Sequence, residues 1–301
     1  MAAPYRSGGA AVRRRRRMRA AVVLVVLLSL VAGAVYLAVT RVNDTQVLVR
    51  ERCSATVGAD SYDLRPSQAR NAALIAGVAV ARGLPARAAS IAIATAIQES
   101  GLENIAYGDD AGPDSRGLFQ QRPSQGWGTE EQILDPVYAT NAFYDALVRV
   151  PDYKSLPITE AAQTVQRSAF PDAYADHEAE GRAFASALTG ESAASLTCVL
   201  RDAEQAGSAE AVATELGSLF GPNGTVDGSS LTREVGGAQG WAEAHWAVAN
   251  ADALSIDSVA FSDLQWTRGQ GEWLPAETGT GLTISVAAAP SASAAVGFSH
   301  G

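Results

Sequence analysis

The sequence is poor in the residues that build metal and redox centres. It holds two Cys and three His in 301 residues. His177, His245 and His300 are scattered, and no Cys or His spacing matches a zinc site. No metal and no cofactor is expected. Positive charge is scarce outside one place. Residues 1–40 carry seven Arg (Arg6, Arg13 to Arg17, Arg19) and no acid. Without them 16 basic residues face 32 acidic ones, a net of −16 where the whole chain has −9. An acidic bulk argues against a nucleic-acid partner. Long apolar runs are lacking too, apart from Ala20 to Thr40. A single such run, with no charge inside it, argues against a transporter. There is no internal repeat.

That one run directs the first expectation. A helix of about 20 uncharged residues spans the hydrocarbon layer. The Arg cluster precedes it, so residues 1–19 read as a basic cytoplasmic segment and 20–40 as a transmembrane helix. The bulk is then extracytoplasmic, in a single-pass cell-membrane protein. A cleaved signal peptide is the competing reading, but the run is long for one and no Ala-x-Ala site closes it. Residues 41–65 show no period and read as an extracytoplasmic spacer. Cys53 and Cys198 bracket the most informative segment. Outside the cytoplasm such a pair oxidises, and a disulfide is expected over two free thiols. Closing so long a loop stabilises by roughly 4–5 kcal/mol in the chain-entropy model.

Residues 66–198 read as one all-α domain. Pro66 opens a helix whose Ala69, Ala72, Ala73, Ala76 and Val80 form a small-residue face, ended by Gly83 and Pro85. A second helix runs from Ala86 to Glu99. Ile93, Ala96 and Ile97 share a face, Ile91 and Ala94 lie elsewhere, and a helix apolar nearly all round is central to a core. Residues 101–128 are punctuated by Gly and Pro and form a long, irregular loop of the kind that carries function. Thr129 to Gln132 fits a capping box, and Asp135-Pro136 an N-cap and N1 pair. Two more helices follow, from Thr159 to about Ala169 and from about Ala173 to Leu188. Residues 199–287 mix helices over 201–220 and 240–253 with β-type runs at 258–261, 264–267, 272–274 and 282–286. They read as a small α+β domain. Residues 288–301 are Ala/Ser-rich and read as a disordered tail.

Glu99 ends the apolar helix as Glu99-Ser100-Gly101, and Gly117-Leu118-Phe119-Gln120 with Pro123 follows. This pattern resembles the lysozyme-like superfamily in its lytic transglycosylase and goose-type lysozyme branch. The run Gly117 to Gly128 is similar to strings in exported lysozyme-like domains of high-GC Gram-positive bacteria. The resemblance covers about residues 66–190. It implies cleavage of the β-1,4 bond between N-acetylmuramic acid and N-acetylglucosamine in peptidoglycan glycan strands. Glu99 is then the acid/base: partial burial keeps a carboxyl protonated near neutral pH, ready to protonate a glycosidic oxygen. The alternative is a non-catalytic wall-binding or scaffold protein on the same fold.

Glycosidases ordinarily need a second carboxylate. Asp109, Asp110 and Asp114 are the nearby candidates, though beside Gly108 and Gly112 they fit turn formation better. Lytic transglycosylases manage with one carboxylate, because the substrate's own 6-hydroxyl attacks and leaves a 1,6-anhydro end. That mechanism is favoured here over hydrolysis. Ser100 is expected to support Glu99. Gly117, Gln120 and Gln121 are candidate substrate contacts; Trp127 and Tyr144 are candidate stacking rings, though each alone fits a buried aromatic better. Phe119 stands where the family usually has Met. The family's Ala-Tyr-Asn-Ala-Gly run is absent; Gln166 or Tyr174 can substitute. Trp241, Trp246, Trp266 and Trp273 fit a core better than a carbohydrate-binding surface.

Overall fold

The structure, a computed structural model, describes residues 9–44, 49–108, 110, 112–167, 171–277, 279 and 281–288. It divides into two units, Met1–Val49 and Arg50–Gly301. The first holds one helix, α1 (Gly9–Asp44), which carries both the Arg cluster and the apolar run. Among the described residues no helix is long and apolar enough to cross a membrane. The transmembrane helix expected over 20–40, and the single-pass placement built on it, are corrected accordingly. The expected disordered tail lies, past Ala288, outside the described residues.

The expectation of an all-α domain behind an irregular spacer is also corrected, because the second unit holds two antiparallel sheets. β1 (Arg52–Val57) and β2 (Asp60–Leu64) form a hairpin in the supposed spacer. β3 (Leu196–Val199) comes from the end of the supposed all-α domain and lies on the other side of β1. The pairing sets Cys53 opposite Cys198, their Cα atoms 3.9 Å apart, and the two form the expected disulfide. Cys53 and Ala55 are fully buried while Ser54 and Thr56 face outward, the period of a strand with one buried face.

Between these strands lie α2 (Pro66–Ala81), α3 (Ala86–Ser100), α4 (Glu130–Leu134), α5 (Pro136–Leu147), α6 (Ile158–Gln166) and α7 (Glu178–Leu188). α3 is the central member, with every residue from Ala88 to Ala96 buried. Its small side chains let α7 approach closely. A Cβ on Gly181 would sit 2.9 Å from that of Ala94, so glycine is required there. Two 3-10 turns complete this part, at Pro123–Gln125 and Pro171–His177.

The remainder comprises α8 (Ala209–Phe220), β4 (Thr225–Asp227), β5 (Ser230–Arg233), α9 (Gly237–Ala249), β6 (Ile256–Phe261), β7 (Leu264–Thr267), β8 (Trp273–Pro275) and β9 (Leu282–Val286). The strands form one sheet in the order β4-β5-β9-β6-β7-β8, every pair antiparallel. α9 lies on this sheet and reaches α2 and α7. Its Glu243, fully buried, is paired with equally buried Arg233 of β5, Nε to Oε2 at 2.6 Å and Nη2 to Oε1 at 3.1 Å. Arg233 also donates to the carbonyls of Phe220, Gly221 and Asn223, so all five guanidinium hydrogens are placed. Gln239 donates to Glu243 Oε1 at 3.0 Å. Two residues past Glu243 on α9, His245 is buried and donates from Nδ1 to the Ala187 carbonyl of α7 at 2.7 Å.

Candidate functional site

Glu99 occupies the last turn of α3, where the helix leaves the core. The helix stops because Gly101 takes a left-handed conformation (φ 63°), with its N–H donating to Ile97 O and that of Leu102 to Ala96 O. Ser100 bonds to backbone carbonyls. Its hydroxyl donates to the Leu118 carbonyl at 2.7 Å and lies 3.0 Å from that of Ala96, which ties the 117–121 run to the end of α3. The run is shaped by close approach. Gly117 has φ 77°, and a Cβ there would stand 2.5 Å from the Ile133 carbonyl. Leu118 and Phe119 turn inward and are fully buried, Phe119 stacking on Phe143 of α5 at 4.6 Å between ring centres. Phe119 is therefore a core residue.

The glutamines of the run divide in a way the sequence did not reveal. Gln120 sits at φ 47° and donates to the Gly117 carbonyl at 3.2 Å, closing its own turn. Gln121 is buried and donates to Ala139 O at 3.2 Å. Neither has a described bond to Glu99. Two residues from farther along the chain do. Tyr174, buried in the second 3-10 turn, donates its hydroxyl to Glu99 Oε1 at 2.6 Å. Gln166, at the end of α6, hydrogen-bonds the same carboxyl group and also donates to Phe119 O at 2.7 Å. Both are the residues offered for the absent Tyr-Asn run. Ser168 to Phe170 between them lie outside the described residues.

The electrostatics follow from this packing. Burial disfavours the ionised form of Glu99 and raises its pKa above the ordinary carboxylate value. The hydrogen bonds from Tyr174 and Gln166 and the charge of Arg122 pull the other way, and burial prevails. Arg122 was not singled out from the sequence. It is held by a bond from its Nε to Ser115 Oγ at 3.0 Å. With Tyr174 on Oε1, the second carboxyl oxygen is the one suited to carry a transferable proton.

The loop carboxylates do not supply a partner on the present geometry. Asp114 Oδ2 accepts from the Ser124 backbone N–H at 3.1 Å, and hydrogen bonding to Ser124 holds its carboxyl below the usual range. Asp110 is exposed, and Asp109 lies outside the described residues. Tyr144 is a core residue whose hydroxyl donates to Ile75 O at 2.9 Å. Trp266 and Trp273 donate to the carbonyls of Cys198 and Leu196, fastening the six-stranded sheet to β3. Trp241 and Trp246 are buried, so these rings form no carbohydrate-binding surface. Trp127 differs: it lines an open cleft of about 620 Å³ that reaches Gln166.

The site thus consists of one desolvated carboxyl group, a phenol and an amide fixed on it, and a cleft beside the amide. It can deliver a proton to, and recover one from, a group bound at that edge. Compared with known families and with curated proteins, the chain matches no family model and no curated sequence.

Proposed function

We propose that the chain cleaves the β-1,4 bond between N-acetylmuramic acid and N-acetylglucosamine, with Glu99 as its acid/base. The observation that carries this reading is the carboxyl group of Glu99, desolvated at the edge of a core helix and gripped at Oε1 by Tyr174. A glycosidic oxygen must be protonated as its bond breaks, and a carboxyl with a raised pKa does this near neutral pH. Glu99 donates its proton to the leaving O4 while the C1–O4 bond opens. The resulting carboxylate takes the proton of the muramyl 6-hydroxyl as that oxygen bonds to C1. The product carries a 1,6-anhydro end and Glu99 is protonated again. Arg122 is the charged residue felt by Glu99, and no carboxylate among the described residues enters that balance. This favours transglycosylation over a two-carboxylate hydrolysis. Cys53–Cys198 suits an oxidising compartment, where such a substrate is met.

The test is digestion of purified sacculi by the full chain and by Glu99→Gln, with mass spectrometry of the products. Anhydro-muropeptides from the first alone are expected. Reducing ends would turn the reading to hydrolysis, and equal release by both proteins, or by neither, would overturn it.

A further inference from the structure

The cleft beside Gln166 has an unusual charge. Trp127 contributes one part of its wall, Arg149 just after α5 and Arg167 just after α6 contribute others. Both arginines are exposed. Among the described residues neither guanidinium has an ion-pair or hydrogen-bond partner, whereas Arg65, Arg70, Arg82, Arg116, Arg182 and Arg201 are each paired with a carboxylate. The contrast is sharper because the chain beyond residue 40 is strongly acidic. Each cation follows a helix C-terminus, whose dipole favours positive charge. That accounts for their tolerance side by side and leaves their donors open.

A planar guanidinium is built to take a carboxylate through two parallel hydrogen bonds, and an indole face suits a sugar ring. The geometry points to a subsite, formed by Trp127, Arg149 and Arg167, for a sugar residue that bears a carboxylate. This rests on the reading of Glu99 as a glycan-cleaving acid, and it names the substrate feature that would be selected. In a muramyl residue the negative charge comes either from a free lactyl group or from an attached stem peptide. The shared chemistry is the carboxylate next to the ring.

The experiment is calorimetric titration of the full-length Glu99→Gln protein with muramyl tetrasaccharides in three forms. One has free lactyl carboxylates, one has them converted to methylamides, and one carries stem peptides. The free acid is expected to bind about tenfold tighter than the methylamide, from two exposed charge pairs of up to about 1 kcal/mol each. The preference should weaken as salt is raised. In Arg149→Gln/Arg167→Gln the two forms should bind alike. Tighter binding of the peptide-bearing form than of the free acid assigns the carboxylate to the peptide. Equal binding of free and capped forms, no binding of any form, or a preference that survives the double substitution overturns the subsite. A carboxylate preference in a protein that releases no products keeps the subsite and removes the cleavage reading. Product release without the preference does the reverse.

Discussion

Glu99 and Glu243 are both drawn out of water on helices, and they are treated in opposite ways. Glu243 lies at the centre of α9 and meets a guanidinium whose five hydrogens are all placed. Glu99 lies at the end of α3 and meets a phenol, an amide and a more distant cation, which together fall short of offsetting its desolvation. Full compensation fixes a charge in place and leaves it nothing to do. Partial compensation leaves a carboxyl whose pKa stays above the ordinary carboxylate value. On the proposed reading of Glu99, the structural and the reactive acid of this pair differ in how completely their partners answer their burial.

The comparison breaks most visibly at Glu99. Glu99→Gln is expected to lower cleavage by about 10²–10⁴-fold, the usual contribution of a positioned acid/base, measured as muropeptide release. Its stability should fall little, because a neutral amide is easier to bury than a carboxylate. Glu243→Gln should show the reverse, losing about 3–5 kcal/mol in urea unfolding because Arg233 is left buried and uncompensated.

His245 sharpens the contrast, since it is buried without being charged. Burial pushes its pKa down to about 4 from 6.5. Above the unfolded value both states are neutral and its contribution is fully present. As pH falls the unfolded chain takes the proton first, and stability is lost down to about pH 4. The loss is about 3 kcal/mol, and unfolding curves for His245→Phe between those limits should lack that component.

The smallest effect expected is at Tyr174. Removing its hydroxyl in Tyr174→Phe takes away a bond that favours ionised Glu99, so the carboxyl should hold its proton to higher pH. The alkaline limb of the pH–rate profile should move upward by up to about one unit. A limb that moves downward would show that Tyr174 steadies the protonated form instead.

The local parts of this fold were legible because their chemistry is local. Thr129 and Gln132 exchange the reciprocal bonds of a capping box, and Asp135 Oδ1 accepts from the Val137 and Tyr138 N–H groups. The all-apolar character of α3 announced a core helix with Glu99 at its exit. The three-stranded sheet was not legible, since β1 and β3 are short and meet only across the whole helical region. The β4–β5 pair hid behind a Gly-rich turn in the same way. In the site, neighbours in sequence proved to be spacers. Ser100, Gln120 and Gln121 bond to backbone, while Tyr174 and Gln166 arrive at Glu99 from later turns. Backbone dihedrals decide that sorting: the left-handed turn at Gln120 sends its amide back to Gly117, and sequence spacing carries no trace of it.

The bond between Cys53 and Cys198 has a practical consequence for anyone handling the protein. The loop from 102 to 128 exposes Tyr107 at 73% and is the natural place for a protease to cut. A chain nicked there stays in one covalent piece, because both fragments hang from the same cystine. It will migrate at full mass until a thiol is added, and digestion must be followed on reduced and unreduced gels together.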